Sequence, residues 1–423
     1  MPWQERTKMS LKLEFVTLAD REEANMSALC RRFDISRPTG YKWLRRYREE
    51  GAAGLEERSR RPDRSPNRTP ESVVKAVCEI RERHPSWGGR KIRARLRDKV
   101  DRDVDRDVNR EEEPLPFGPE EVPAASTCQS IVKRNGLVDS DPDRRHAPFE
   151  RFEKEAPNQL WQMDFKGHFP LVNGTRCHAL TIVDDHSRFA LALEACPDEQ
   201  RTTVKERLEA VFERYGLPRR ILCDNSLPWG VPATKQTERP LYTKLNRWLI
   251  RLGIDVVHGR PYHPETQGKA ERFHRSLTDE VLRQGRYESL SGCQDAFDQW
   301  RHTYNLKRPH EALGLQVPAS RYQASGRPFP ETMPEVSYSG SDPVRQVSTR
   351  GQIQFGGEKF YIGNAFGNHP VVLRPAEAEG TDPASRTDRS GTDPDDETVE
   401  WTVKFCHKTV RVIEAKPPDS IIR

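Results

Sequence analysis

Residues 259–277 read GRPYHPETQGKAERFHRSL, a polar, proline-broken tract that passes directly into a helical pattern. Ala270, Phe273, Leu277 and Val281 recur at helical spacing and make one apolar stripe, while Glu271 and Arg275 lie a quarter turn or more round from it. One helix can therefore pack its stripe inward and still offer Glu271 to a metal and Arg275 to a phosphate.

Outward from this stretch, two further acids each close a short apolar run of strand character: Asp164 in LWQMDF and Asp224 in RRILCDN. In LWQMDFK, Trp161, Met163 and Phe165 fall on one face of a strand and Gln162, Asp164 and Lys166 on the other. Asp224 stands where strand character stops and SLPWGVP begins, at a strand mouth, where open α/β sheets place ligand groups. A fold can thus bring three carboxylates from separate elements to one point. Two carboxylates ~4 Å apart repel by roughly 4 kcal/mol at an effective dielectric of ~20, so such a cluster stays ionised only with cations. Oxygen ligands suit magnesium or manganese, and a pair of these ions is the usual equipment of phosphodiester chemistry.

Each acid also has an ordinary reading, since a single Asp at a strand end is commonly a turn former or a helix cap. Asp184 and Asp185 in TIVDDHSRFALALEA compete for the same role, but they read as a hairpin turn between two strands, with Asp185 and Arg188 supporting the site from behind. Glu265 competes with Glu271 and follows Pro264 in a loop, where a rigid ligand is harder to hold. His258, His263 and His274 are unremarkable packing or surface residues on their own.

The ordered Asp, Asp-Asn and HPETQGKAERFHRSL resemble the catalytic core of retroviral-integrase-type insertion-sequence transposases, with 46 residues between the last two acids (271 − 224 − 1). Ser226 departs from the pattern, in which Gly often follows Asp-Asn. The resemblance implies a ribonuclease-H-like α/β core with Asp164, Asp224 and Glu271 as catalytic, metal-binding acids holding two Mg2+ or Mn2+ ions. It also implies Tyr262, His263, Gln267, Lys269, Arg272 and Arg275 along DNA, cleavage and strand transfer at the ends of a mobile element, and a homodimer or higher oligomer assembled on DNA. A nuclease that cuts without joining and a helix-turn-helix regulator on a spent core are the rival readings.

The 423 residues, with 33 prolines and 26 glycines, predict a multidomain chain. A first all-α helix-turn-helix domain is expected over 1–58, with Ser36 capping RPTGYKWLRRYREE and Gly51 ending it. Arg37, Thr39, Lys42, Arg45 and Arg46 face DNA in this reading, while Trp43, Leu44 and Tyr47 pack inward. A basic linker, 59–69, leads to a second helix-turn-helix domain over 70–140. Its charged insertion, about 99–122, reads as a solvated loop, and its last helix, Ala125 to Arg134, is capped by Ser126 or Thr127 and carries Lys133 and Arg134. The α/β core takes 150–325, with Trp300, Tyr304 and Asn305 in its closing helix. Short alternating strands over 340–415 predict a small SH3-like β-barrel, broken by an unstructured acidic insert at about 377–398.

Seventy Lys and Arg against 65 Asp and Glu give a net charge of only +5, so DNA binding has to come from uneven distribution of charge. Eight cysteines without a C-x-x-C pair indicate neither a disulfide framework nor a zinc knuckle. No apolar run approaches ~20 residues and no export signal opens the chain, which predicts a cytoplasmic, nucleoid-associated protein away from membranes.

Overall fold

The computed structural model describes residues 8–57, 68–104, 115–138, 153–225, 227–231, 241–259, 268–283, 285–338, 340, 342–376 and 398–416. The chain divides into two compact units, Met1–Arg68 and Thr69–Arg423. In the first, α1 (Lys8–Ala19), α2 (Met26–Arg32) and α3 (Arg37–Glu50) enclose Phe15, Val16, Cys30, Trp43, Leu44 and Leu55. The sequence reading missed α1, whose apolar residues do not gather on a single stripe. Ser36 caps α3 as expected, accepting from the Thr39 amide, and Gly51 ends the helix. Gly40 sits where α3 crosses its neighbours: a Cβ there would lie 2.7 Å from Cys30 Sγ and 2.9 Å from Phe15.

The second unit opens with α4 (Glu71–Arg83), α5 (Gly89–Val104) and α6 (Ala125–Arg134) around Val73, Val77, Trp87, Ile92, Leu96 and Ile131. Two expectations need correction here. The charged insertion is not all solvated loop, because α5 runs on through Val104 and Phe117 is buried among the helices. An apolar ring finds a core whatever the charges around it. The N-cap of α6 is Ala124, with no side-chain bond, so Ser126 and Thr127 lie inside the helix rather than at its cap. Residues 105–114 and the linker positions 58–67 fall outside the described residues, as does the acidic insert at 377–397.

The central sheet has the order β3-β2-β1-β4-β7, built from β1 (Trp161–Pro170), β2 (Arg176–Asp184), β3 (Ala190–Cys196), β4 (Arg220–Cys223) and β7 (Asp255–His258). β1, β2 and β3 pair antiparallel, whereas β1–β4 and β4–β7 are parallel, the mixed sheet expected of an integrase-type core. Between β4 and β7, β5 (Gly230–Val231) and β6 (Leu241–Tyr242) form a small ribbon. One face buries Trp161, Met163, Leu180 and Ile182 against α7 (Arg201–Tyr215) and α8 (Lys244–Arg251). The other buries Cys177, Ala179 and Val183 against α9 (Gly268–Leu277) and α10 (Leu290–Leu306). Trp300, Tyr304 and Asn305 are buried as expected, and the Asn305 amide bonds both the N–H and the C=O of Ala190, finishing edge strand β3.

The strands expected near the C terminus form, but they do not close into a barrel. β8 (Val344–Gln346), β11 (Pro370–Pro375), β12 (Val399–Phe405) and β13 (Lys408–Ala415) make one antiparallel sheet, while β9 (Gln352–Phe355) and β10 (Glu358–Tyr361) pair only as a hairpin. Edges left open by hydrogen bonding are covered by packing instead. Phe355, Phe366, Trp401 and Phe405 join the apolar core that contains Trp161 and Phe212. A Lys408–Asp255 ion pair joins the two sheets, and a bond from Arg247 on α8 to the Ala365 carbonyl (2.7 Å) adds to it.

Candidate functional site

The strand register brings the first two acids together. Trp161 pairs with Ile221 and Gln162 with Leu222 on parallel neighbours, and Asp164 and Asp224 each lie two residues beyond the last pair. Glu271 comes from the first turn of α9, exposed as its position off the apolar stripe requires; the stripe residues Ala270, Phe273, Leu277 and Val281 are all buried. Asp164 carries the electrostatic signature of the cluster: burial, then the Asp224 charge, raises its carboxyl to about 7, a backbone bond from Phe165 opposes this, and Glu271 adds to it. The acids spread more widely than a tight single-ion nest. Among the described residues only His168, His178 and Glu199 bring ligand atoms all within 4.8 Å of one another.

Two supports beside the acids were not evident in the sequence. Thr181, opposite Asp164 on β2, donates its hydroxyl to the Asp164 carbonyl (2.9 Å), and the same oxygen lies 2.8 Å from Nε2 of His274. A hydroxyl has one proton, so with that proton on the carbonyl, His274 Nε2–H donates to Thr181 and Nδ1 is left bare, 3.8 Å from Asp164 Oδ2. Burial, then Lys166, lowers His274 to about 4, so the ring is neutral. The second support is Gln162, which donates to Asp185 Oδ1 (2.9 Å) and accepts from the Ala270 amide (3.2 Å), linking the hairpin turn to the start of α9.

The competing acids take structural roles. Asp184 accepts from the Ser187 amide and hydroxyl (2.7 and 2.6 Å) and from the Asn158 amide (2.8 Å), the turn duty expected of it. Asp185 is fully buried and ion-paired with Lys269, and Arg188 pairs with Glu153 (2.8 Å). Lys269 was expected along DNA; the structure turns it inward, because a buried carboxylate at this point requires a cation. Lys166, Glu271, His274, Arg275 and Arg283 line an open groove of about 340 Å³. Arg272 is also exposed on α9, whereas Tyr262, His263, Gln267 and the competitor Glu265 lie outside the described residues.

Arg37, Lys42 and Arg45 are exposed on α3 in the first unit, and Lys133 and Arg134 are exposed at the end of α6 in the second. Arg46 and Lys42 lean over the Trp43 ring, at 5.4 and 5.0 Å. Thr39 differs from expectation, for its hydroxyl is engaged by Ser36 (2.8 Å) and serves the helix cap. No helix among the described residues is long and apolar enough to cross a membrane.

Residues 154–264 and 252–318 match the integrase core domain family, residues 11–63 a helix-turn-helix domain family, and residues 39–108 a homeodomain-like family. The chain is 28% identical over 171 residues to the insertion element IS476 uncharacterized 39.2 kDa protein of Xanthomonas euvesicatoria, covering 40% of this chain and 46% of that one. It is 26% identical over 164 residues to the insertion element IS407 uncharacterized 31.7 kDa protein of Burkholderia multivorans, 39% of this chain and 55% of that one. The chain thus spans about half the length of these curated relatives. It is also similar to the Gag-Pol polyprotein of feline leukemia virus, at 27% identity over 37% of this chain and 8% of that one. Among solved structures, the HTLV-2 integrase catalytic core domain in complex with magnesium aligns at 17% identity and a TM-score of 0.30, covering 40% of this chain and 99% of that one. Residues 154–318 are thus similar to the integrase core domain family, downstream of a segment similar to a helix-turn-helix domain family, and the relatives include insertion-element proteins.

Proposed function

We propose that this chain is a transposase that binds the ends of a mobile DNA element and catalyses metal-dependent cleavage and strand transfer at Asp164, Asp224 and Glu271. The observation that carries this reading is the register of the parallel strands β1 and β4, which sets Asp164 and Asp224 side by side just beyond their last pair, with Glu271 in the first turn of α9. Such a cluster favours cations, and its spread suits two ions better than one. With Mg2+ or Mn2+ held between these acids, the ions supply activation of the attacking oxygen and stabilisation of the leaving one.

The chain's own residues do the rest. Asp164, Asp224 and Glu271 would hold the ions. Arg275 and Lys166 neutralise phosphate in the groove, Arg272 does so from the exposed face of α9, and the neutral His274 keeps Asp164 free of a competing positive charge. Gln162 and the Asp185–Lys269 pair hold the start of α9, so Glu271 does not drift. Hydrolysis at the element's end frees a 3′-hydroxyl; its oxygen then bonds to a target phosphorus as the target's own 3′-oxygen leaves and takes a proton. No covalent enzyme intermediate is formed.

Tyr262, His263 and Gln267 extend the DNA path before α9, while Arg37, Lys42, Arg45, Arg46, Lys133 and Arg134 read or hold the element ends. We assign the C-terminal β domain to non-specific DNA contact or assembly. Affinity for end DNA is expected to fall with salt at a log-log slope of about −0.9 per phosphate neutralised; a flat response removes the helical units from DNA recognition. Paired ends require at least a dimer, which mass in solution with and without end DNA will report. The deciding assay combines a pre-cut element end, a supercoiled target and Mg2+, with Asp224→Asn as control. Joined products lost in the variant are expected; cleavage without joining makes the chain a nuclease.

A further inference from the structure

A second cluster of ligand-type side chains lies on the opposite face of the central sheet from Asp164. β1 carries one extra residue between Phe165 and His168, where Gly167 adopts φ +85°, and this bulge reverses the side of the sheet that the following residues face. Asp164 is opposite Thr181 on the α9 face, whereas His168 is opposite His178, whose neighbours Leu180 and Ile182 pack towards α7. The two imidazoles stand 5.2 Å apart, centroid to centroid, at 39°. Glu199, just ahead of α7, completes the group and lies 2.9 Å from His178 Nδ1. Its turn is held by Asp198, which accepts from the Gln200 amide (2.9 Å) and the Thr203 hydroxyl (2.6 Å).

We propose that His168, His178 and Glu199 form a binding site for one zinc-class transition-metal ion, separate from the acid cluster. Two imidazoles and one carboxylate are the donor set that zinc takes with an open fourth position for water, and they disfavour magnesium, which prefers all-oxygen surroundings. Ligand atoms within 4.8 Å of one another need to close to roughly 3.4 Å around a tetrahedral zinc with ~2.0 Å bonds. The exposed His168 can make that movement, while His178 and the anchored Glu199 are already placed. Arg176 donates to His168 Nε2 (2.7 Å), so one of that ring's two nitrogens is engaged. Arg176 is exposed and can withdraw. A bound ion would pin the start of α7 to the β1–β2 pair.

The test titrates the full chain with Zn2+ against a chromophoric chelator in excess Mg2+, counting ions per chain and following thermal unfolding. One Zn2+ per chain is expected, with a rise in Tm, unchanged in Asp164→Asn. His178→Ala and Glu199→Gln should each weaken binding by at least about 10–100-fold, the loss that outer partners alone already cause. His168→Gln, at an exposed position, serves as the variant least able to disturb folding and should do the same, while Arg176→Ala should bind as well or better. Absence of Zn2+ uptake overturns the proposal. So does uptake lost in Asp164→Asn but kept in His178→Ala, which would put the ion on the acids instead.

Discussion

Asp164→Asn is expected to lower strand transfer by on the order of 10³-fold while leaving end binding intact and making the metal-free protein more stable above neutral pH. The two effects share one cause. Burial and the neighbouring Asp224 and Glu271 raise the Asp164 carboxyl from 3.8 to about 7, so the folded state binds its proton more tightly than the unfolded chain. The stabilisation associated with that proton is fully present below about pH 4 and is lost as pH rises through about 7, amounting to up to about 4 kcal/mol. In EDTA, wild-type stability should therefore decline across this window, Asp164→Asn should show less of the decline, and Mg2+ should restore the wild type at pH 8. Denaturant titrations at several pH values, with and without EDTA, read this directly. A wild-type curve indifferent to both pH and Mg2+ would mean that the three acids do not share a site.

Removing the Glu280 side chain is expected to cost about 3–5 kcal/mol. Glu280 lies in the π-helical turn Thr278–Leu282 that continues α9, and its carboxylate pairs with Arg308 (3.0 Å) with both side chains under a tenth exposed. It also accepts from Trp300 Nε1 (2.8 Å) and from Ser86 Oγ (2.5 Å), which belongs to the turn between α4 and α5. Burial alone would raise its carboxyl, but Arg308 and these donors hold it below the ordinary value. Glu280→Ala leaves Arg308 charged and enclosed, so denaturant unfolding should move to much lower concentration. Ser86→Ala should lose only about 1.5–3 kcal/mol, one hydrogen bond to a charge. Replacing both Glu280 and Arg308 with apolar residues of similar size should recover most of the loss; failure to recover it would show that the pair is not what the network rests on.

Much of the candidate site was legible before any coordinates. The stripe of Ala270, Phe273, Leu277 and Val281 placed Glu271 outside the buried face, and the alternation in LWQMDFK separated Asp164 from Trp161 and Met163. Both rest on side-chain periodicity, a property of a few consecutive residues. The supports were not legible, because Thr181 reaches His274 across 93 positions and Gln162 meets Ala270 across 108. Contacts of that span depend on how α9 packs on the sheet. The open C-terminal sheets were hidden for a related reason: alternation identifies strands, but closure depends on which edges find each other.

Composition, caps and periodicity by themselves determined that this chain has basic helical segments, short strands and three acids at the ends of separate elements, while the α/β core was what the family resemblance implied. Tertiary structure decided which groups share a face. The bulge at Gly167 turns His168 away from Asp164, which simple alternation would have put on its side. Burial of Asp185 draws Lys269 inward, where the sequence alone suggested an outward-facing cation. Hydrogen-bond registers and desolvation act between residues distant in sequence, so neither outcome is encoded in any short stretch.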